Sequence, residues 1–169
     1  MAKVVGGVRP LSRSGVAYQN RLEEYRSMML SGAYSDGYFS EEGSGYYVVE
    51  MSTFRHKAEE LEAAKHLADS GYSVTLANEA GNGIGVKSPD GKVFKATFEQ
   101  RTPTGSSVKK CLDHAMEKRA EVAVIYDKHH IYHRDDIENG IKDFWKRYSY
   151  KFNKILVIDS NGKVHVHKQ

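Results

Sequence analysis

The strongest constraint on the fold is one run of helix formers, residues 55–69 (RHKAEELEAAKHLAD). Ala58, Leu61, Ala64, Leu67 and Ala68 make a single apolar stripe along it. Such a helix must bury that stripe, and the flanking stretches offer the surface. Residues 46–50 (YYVVE) are aromatic and β-branched, and residues 72–77 (YSVTLA) alternate, so both read as strands. Thr53 is the expected N-cap of the helix and Gly71 its stop.

The rest of the chain extends this pattern. Residues 17–31 place Tyr18, Leu22, Tyr25 and Met29 at helical spacing, and Gly32 ends the run. Residues 1–20 lack periodicity, as a mobile arm does, and residues 33–45 have turn composition. Residues 78–91 read as a loop that closes on Pro89-Asp90-Gly91. Residues 92–100 (KVFKATFEQ) read as one alternating strand. Its Phe94, Ala96 and Phe98 point to the core, and Glu99 lies on the face left to water or a site. A helix over 106–119 is capped by Ser106 or Ser107, and residues 121–126 form a buried strand. A helix over 135–148 turns Ile137, Ile141, Phe144, Trp145 and Tyr148 inward. Strands 154–159 and 163–167 are joined by Ser160-Asn161-Gly162, a strong hairpin signal. The order α-β-α-β-β-α-β-α-β-β suits an α/β (α+β) fold, a mixed central sheet flanked by helices. Residues 1–45 are then a flexible arm with a short helix, and residues 46–169 the main domain.

Composition narrows the setting. A chain of 169 residues with 40% hydrophobic content suits one core. It has neither a run apolar enough for a membrane span nor a signal-type start, and its one cysteine, Cys111, cannot form an internal disulfide. The expectation is a cytoplasmic protein with no membrane partner. Residues 142–169 carry seven Lys/Arg against Asp143 and Asp159, a net of +5, while the first fifty residues hold five basic and six acidic side chains. The C-terminal end is therefore where an anionic partner would be attracted.

Chemistry concentrates at residues 89–105. Asp90 sits at a turn, Glu99 follows nine residues on, and Arg101 two positions later. On a strand Glu99 and Arg101 point the same way. Two carboxylates suit Mg²⁺, which keeps several waters, and a cation beside them stabilises phosphate charge. A turn acid and a surface ion pair would look the same by spacing alone. Glu60, at the edge of the apolar stripe, is positioned either to reach this site or to complement the helix dipole. Thr102 and Thr104 offer hydroxyls for phosphate. His129, His130 and His133 fall in a turn, and no histidine pair with a third ligand makes a zinc set. His56, ahead of Glu60, reads first as a solvated side chain and otherwise as a general acid or base.

These residues bring a family into view. From about Tyr46 onward the chain resembles the C-terminal tRNase domain of contact-dependent inhibition toxins of the CdiA type, and C-terminal modules of some phage minor head proteins. The resemblance runs through HKAEELEAAKHLADSG (56–71), YSVTL, Pro89-Asp90-Gly91 and Phe98-Glu99-Gln100-Arg101-Thr102-Pro103. It implies a PD-(D/E)xK-like nuclease core, or alternatively the metal-independent barnase/colicin-like fold with no cofactor. In the first case Asp90 and Glu99 are the metal acids for Mg²⁺, and Glu60, Asp90, Glu99 and Arg101 form the catalytic set. Arg101, Thr102, Thr104, Lys109 and Lys110 then hold nucleic acid. Arg101 stands where that core usually has lysine, and arginine is a poor base. The implied function is an RNA nuclease, foremost a tRNA-cleaving toxin domain from a prophage or mobile element, with an immunity protein or phage head proteins as partners. The alternative is a non-catalytic nucleic-acid-binding or phage structural module that keeps the fold.

Overall fold

A computed structural model describes residues 8–51, 56–77 and 89–167. Its frame is an eight-stranded sheet whose spatial order follows the chain: β1 (Tyr34–Phe39), β2 (Tyr46–Glu50), β3 (Ser73–Leu76), β4 (Gly91–Val93), β5 (Ala96–Arg101), β6 (Val122–Tyr126), β7 (Lys154–Ile158) and β8 (Val164–His167). Four helices accompany it: α1 (Val16–Leu30), α2 (Ala58–Asp69), α3 (Val108–Glu117) and α4 (Arg134–Arg147). Pairs β2–β3, β5–β6 and β6–β7 are parallel, and each is joined through a helix; the other neighbours are antiparallel. The expected mixed sheet flanked by helices is what the chain forms.

Each face of the sheet carries its own core. On one face Val74, Leu76, Val93 and Phe98 meet Ala63, Ala64 and Leu67 of α2. On the other, Ala123, Ile125, Ile155 and Val157 meet Cys111 and Leu112 of α3 and Ile141 and Phe144 of α4. Burying each large aliphatic or aromatic side chain contributes about 1.5–3 kcal/mol. Helix α1 also lies on this second face, where Tyr25 packs its ring on Phe39 and Tyr46. Gly140 lets α3 and α4 close up, since a Cβ there would stand 2.6 Å from Cβ of Val108.

Several expectations change. Residues 34–39, expected as turns, pair with β2, so the sheet begins inside the segment expected as an arm. Thr53 lies outside the described residues, and α2 starts at Ala58 with Lys57 at the cap, where Glu60 accepts from the Lys57 N–H at 3.2 Å. Trp145, expected inward, is 37% exposed. The single strand expected over 92–100 is a hairpin. Strands β4 and β5 pair Gly91 with Phe98 and Val93 with Ala96, around a two-residue turn at Phe94-Lys95. Phe94 takes φ 53 and is 42% exposed instead of buried. Two-residue hairpin turns need positive φ and usually announce themselves with glycine or asparagine; neither is present here. Phe98 is buried as expected.

Among the described residues no helix is long and apolar enough to cross a membrane. Cys111 is buried with its thiol 3.8 Å from the Tyr132 hydroxyl.

Candidate functional site

The hairpin makes the site. In one continuous strand, Asp90 and Glu99 would stand about 30 Å apart. Folded back, the antiparallel register places them opposite each other, one step beyond the Gly91–Phe98 pair. Asp90 lies just past that pair, its N–H donating to Phe98 O at 2.9 Å while its carbonyl accepts from Ala77 N–H at 2.8 Å. Gly91 permits the close approach of β4 to β3, because a Cβ there would lie 1.9 Å from Thr75 O. Directly opposed residues point to the same face. Phe98 faces α2, so by strand alternation Glu99 and Asp90 face the side of α3.

Both acids are buried, Asp90 5% and Glu99 4% exposed. Asp90 Oδ2 accepts from the Gln100 N–H at 2.8 Å. Burial, with the negative charge of Glu60 adding to it, pushes the Asp90 carboxyl above the usual carboxylate range. The Gln100 N–H, Glu99 and Lys118 act in the opposite direction. Helix α3 and its C-cap bring two basic side chains to Glu99: His114 Nε2 lies 3.6 Å from Oε1, and Lys118 Nζ lies 3.9 Å from Oε2.

Glu60 approaches from α2. Its charge reaches Asp90, but its Oε2 is taken up by His56 Nδ1 at 2.8 Å. The His56 side chain is 3% exposed, not solvated as expected, and its Nε2 lies 3.0 Å from the Ala77 carbonyl. A carbonyl only accepts, so Nε2 carries a hydrogen. His56 thus ties the start of α2 to the end of β3, across the ladder from Asp90.

The remaining candidates spread outward. Arg101 is exposed on the Glu99 side of β5. Thr102 Oγ1 accepts from Gln100 Nε2 at 2.7 Å, and Thr104 is exposed. Lys109 bonds Asp113 at 2.9 Å and lies over the Tyr148 ring, whereas Lys110 is exposed. Ser107, one of the two expected caps, accepts from the Lys110 N–H. His56, His114 and Lys118 were not singled out by spacing as site residues. The available signal for the last two was a basic i, i+4 pair beside the apolar stripe of α3.

Among the described residues no group of three or more His, Cys, Asp and Glu side chains is arranged to hold a metal ion. The chemistry of Asp90 and Glu99 nevertheless fits a hard divalent cation. They are two buried carboxyl side chains whose oxygens such a cation would bind, with waters completing the shell.

No protein-family model matches the chain, and no curated protein matches it either. Among solved structures, the chain is similar in fold to a CdiA-CT/CdiI toxin and immunity complex from Burkholderia pseudomallei. The match has a TM-score of 0.50 at 19% identity, and covers 71% of this chain and 94% of that one.

Proposed function

We propose that this chain is a toxin-type nuclease domain that cleaves RNA, with tRNA as its foremost substrate. The observation that carries the reading is the pair of buried acids Asp90 and Glu99, brought together by the β4–β5 hairpin. Two carboxyls withdrawn from water are costly as structure alone, and they form the donor set that a divalent ion needs. The element order around them, α2 followed by the β3–β4–β5 meander, α3 and parallel β6, supports a PD-(D/E)xK-like core. The likeness in fold to a chain of a CdiA-CT/CdiI toxin and immunity complex supports the toxin class. On this reading the chain, too, has an immunity partner.

In the mechanism Asp90 and Glu99 would hold Mg²⁺. A bound Mg²⁺ acidifies a water and polarises the phosphate. Arg101 would meet the phosphate with its fork of donors, bonding two non-bridging oxygens as charge develops. Glu60, fixed by His56, stands beside the pair as a further acid. Thr102, Thr104, Lys109 and Lys110 would hold the flanking backbone.

The test is incubation of the purified protein with total tRNA, with Mg²⁺ and with EDTA. Cleavage that needs Mg²⁺ supports the reading. Cleavage that persists in EDTA points instead to the metal-independent barnase/colicin-like mechanism. RNA binding with no cleavage under either condition points to the non-catalytic binding or phage structural module.

A further inference from the structure

Helix α4 changes character along its length. Its first turns carry Asp135, Asp136 and Glu138, and Arg134 is paired with Glu138 at 3.3 Å. Its last turns carry Lys142, Lys146 and Arg147 against Asp143 alone. A cation in the last turn complements the helix dipole, which accounts for Lys146 and Arg147 but not for Lys142. Nor does it account for Trp145, which stands 37% exposed while Ile141 and Phe144 of the same helix are buried. Lys142 and Lys146 are both exposed and one turn apart, and Trp145 lies beside them on the helix surface. Among the described residues none of Lys142, Lys146 and Arg147 is paired with a carboxylate.

This surface connects to the strand of Glu99. The Arg147 guanidinium lies 5.8 Å from the centre of the Tyr148 ring, and the Lys109 ammonium of α3 lies 5.4 Å from the same ring. Lys110 follows Lys109, and the charges of Lys110 and of Arg101 in β5 both act on the Cys111 thiol. A line of cations thus runs from the end of β5, over the start of α3, to the end of α4.

We propose that the C-terminal half of α4 is a docking surface for single-stranded RNA outside the cleavage centre, where an unpaired base stacks on Trp145 and Lys142, Lys146 and Arg147 meet the flanking phosphates. The inference deepens the RNA-cleaving reading and rests on it for the substrate class. Unpaired ammonium groups neutralise backbone phosphates and release counterions. An exposed aromatic ring among them offers a platform to any unpaired base, since every base has a π-face. A duplex keeps its bases stacked on one another and gains only the electrostatic part.

Trp145 is the sole tryptophan of the chain, so its fluorescence reports on this face alone. The wild type is titrated with a short single-stranded RNA, with the blunt duplex of the same sequence and with polyglutamate, all in EDTA to stop Mg²⁺-dependent cleavage. The single strand is expected to quench the fluorescence to saturation and the duplex much less. In filter binding, Trp145→Ala should bind the single strand about tenfold more weakly, and Trp145→Phe should recover part of the loss. The exposed double variant Lys142→Gln/Lys146→Gln should make the dependence of log affinity on log salt shallower by about 1.4. If the single strand leaves the fluorescence unchanged, or if both Trp145→Ala and the lysine double variant bind it as the wild type does, the inference is overturned. Quenching by polyglutamate and not by RNA assigns the face to an acidic protein and overturns it too. Cleavage of tRNA in Mg²⁺, run on the same wild-type sample, keeps the two readings apart. Cleavage without quenching leaves the nuclease reading standing and removes the docking surface, whereas quenching by the single strand without cleavage supports the surface and removes the nuclease.

Discussion

Asp90 and Glu99 are brought together, both buried, by the hairpin of β4 and β5, although nine residues of sequence separate them. Because burial disfavours the charged form of Asp90, an uncharged isostere removes a desolvation cost and still accepts from the Gln100 N–H. Asp90→Asn is therefore expected to melt at or above the wild-type temperature at pH 7. The same variant, and Glu99→Gln, should reduce Mg²⁺-dependent tRNA cleavage by about 10²-fold or more. Thermal melts and a gel assay on the same samples check both parts. A large loss of Tm with cleavage intact would make the pair structural.

Arg101 is exposed at the end of β5, so its removal should leave stability within about 0.5 kcal/mol of wild type. Arg101→Ala should lower single-turnover cleavage far more than RNA affinity, since a phosphate contact strengthens as charge develops. In a protein that only binds RNA, the variant would show a modest affinity loss that shrinks with added salt, and no rate to lose. Cleavage and filter binding at two salt concentrations separate the cases.

The sequence exposed the layers more readily than the turn that joins them. Helix α2 was legible because its apolar stripe is continuous, and the β7–β8 hairpin because Asn161-Gly162 supplies the backbone that the turn requires, Gly162 at φ 85. Strand β1 (YSDGYF) was hidden by turn-forming residues that its pairing with β2 overrides. The turn at Phe94 was hidden because phenylalanine carries no signal for positive φ, yet that turn brings Asp90 to Glu99. The acids could be named from residue type and order. His114 and Lys118 could not, because packing of α3 against β5, a nonlocal event, delivers them.

His167 gives the fold a pH dependence of definite sign. Burial first, and the neighbouring His165 charge second, depress its pKa below the ordinary 6.5. Glu138 works against this and Arg134 with it. A base with a depressed folded pKa contributes stability that is present above the unfolded value and is lost as pH falls through the folded one. Stability should thus decline from about pH 7 toward pH 5, and His167→Gln should flatten that part of the curve. Urea melts at half-unit pH steps measure it. An unchanged slope in the variant would assign the decline to other groups. Asp159 is not one of them: hydrogen bonds from His165 and from the Lys163 and Asn161 N–H groups outweigh burial and hold its carboxyl low, so its contribution is lost only at more acidic pH.

His56 is the buried hinge pin between α2 and β3, joining Glu60 at 2.8 Å to the Ala77 carbonyl at 3.0 Å. Replacing it with alanine leaves a buried carbonyl and a largely buried carboxylate each short of a partner, and a void where the ring stood. Losses of this kind cost about 1–3 kcal/mol for each unsatisfied group. His56→Ala is therefore expected to lower stability by about 2–4 kcal/mol in a urea melt. His56→Gln, which can donate to Ala77 O, should recover part of this. Because Glu60 would then lose its His56 partner and keep the bond from the Lys57 N–H, and its charge acts on Asp90, the effect should reach the acid pair. Mn²⁺ affinity should shift in His56→Ala even at temperatures where the variant is fully folded. If the variant loses stability but binds Mn²⁺ as the wild type does, the His56–Glu60 contact serves only to fasten α2, and Glu60 has no part in the site.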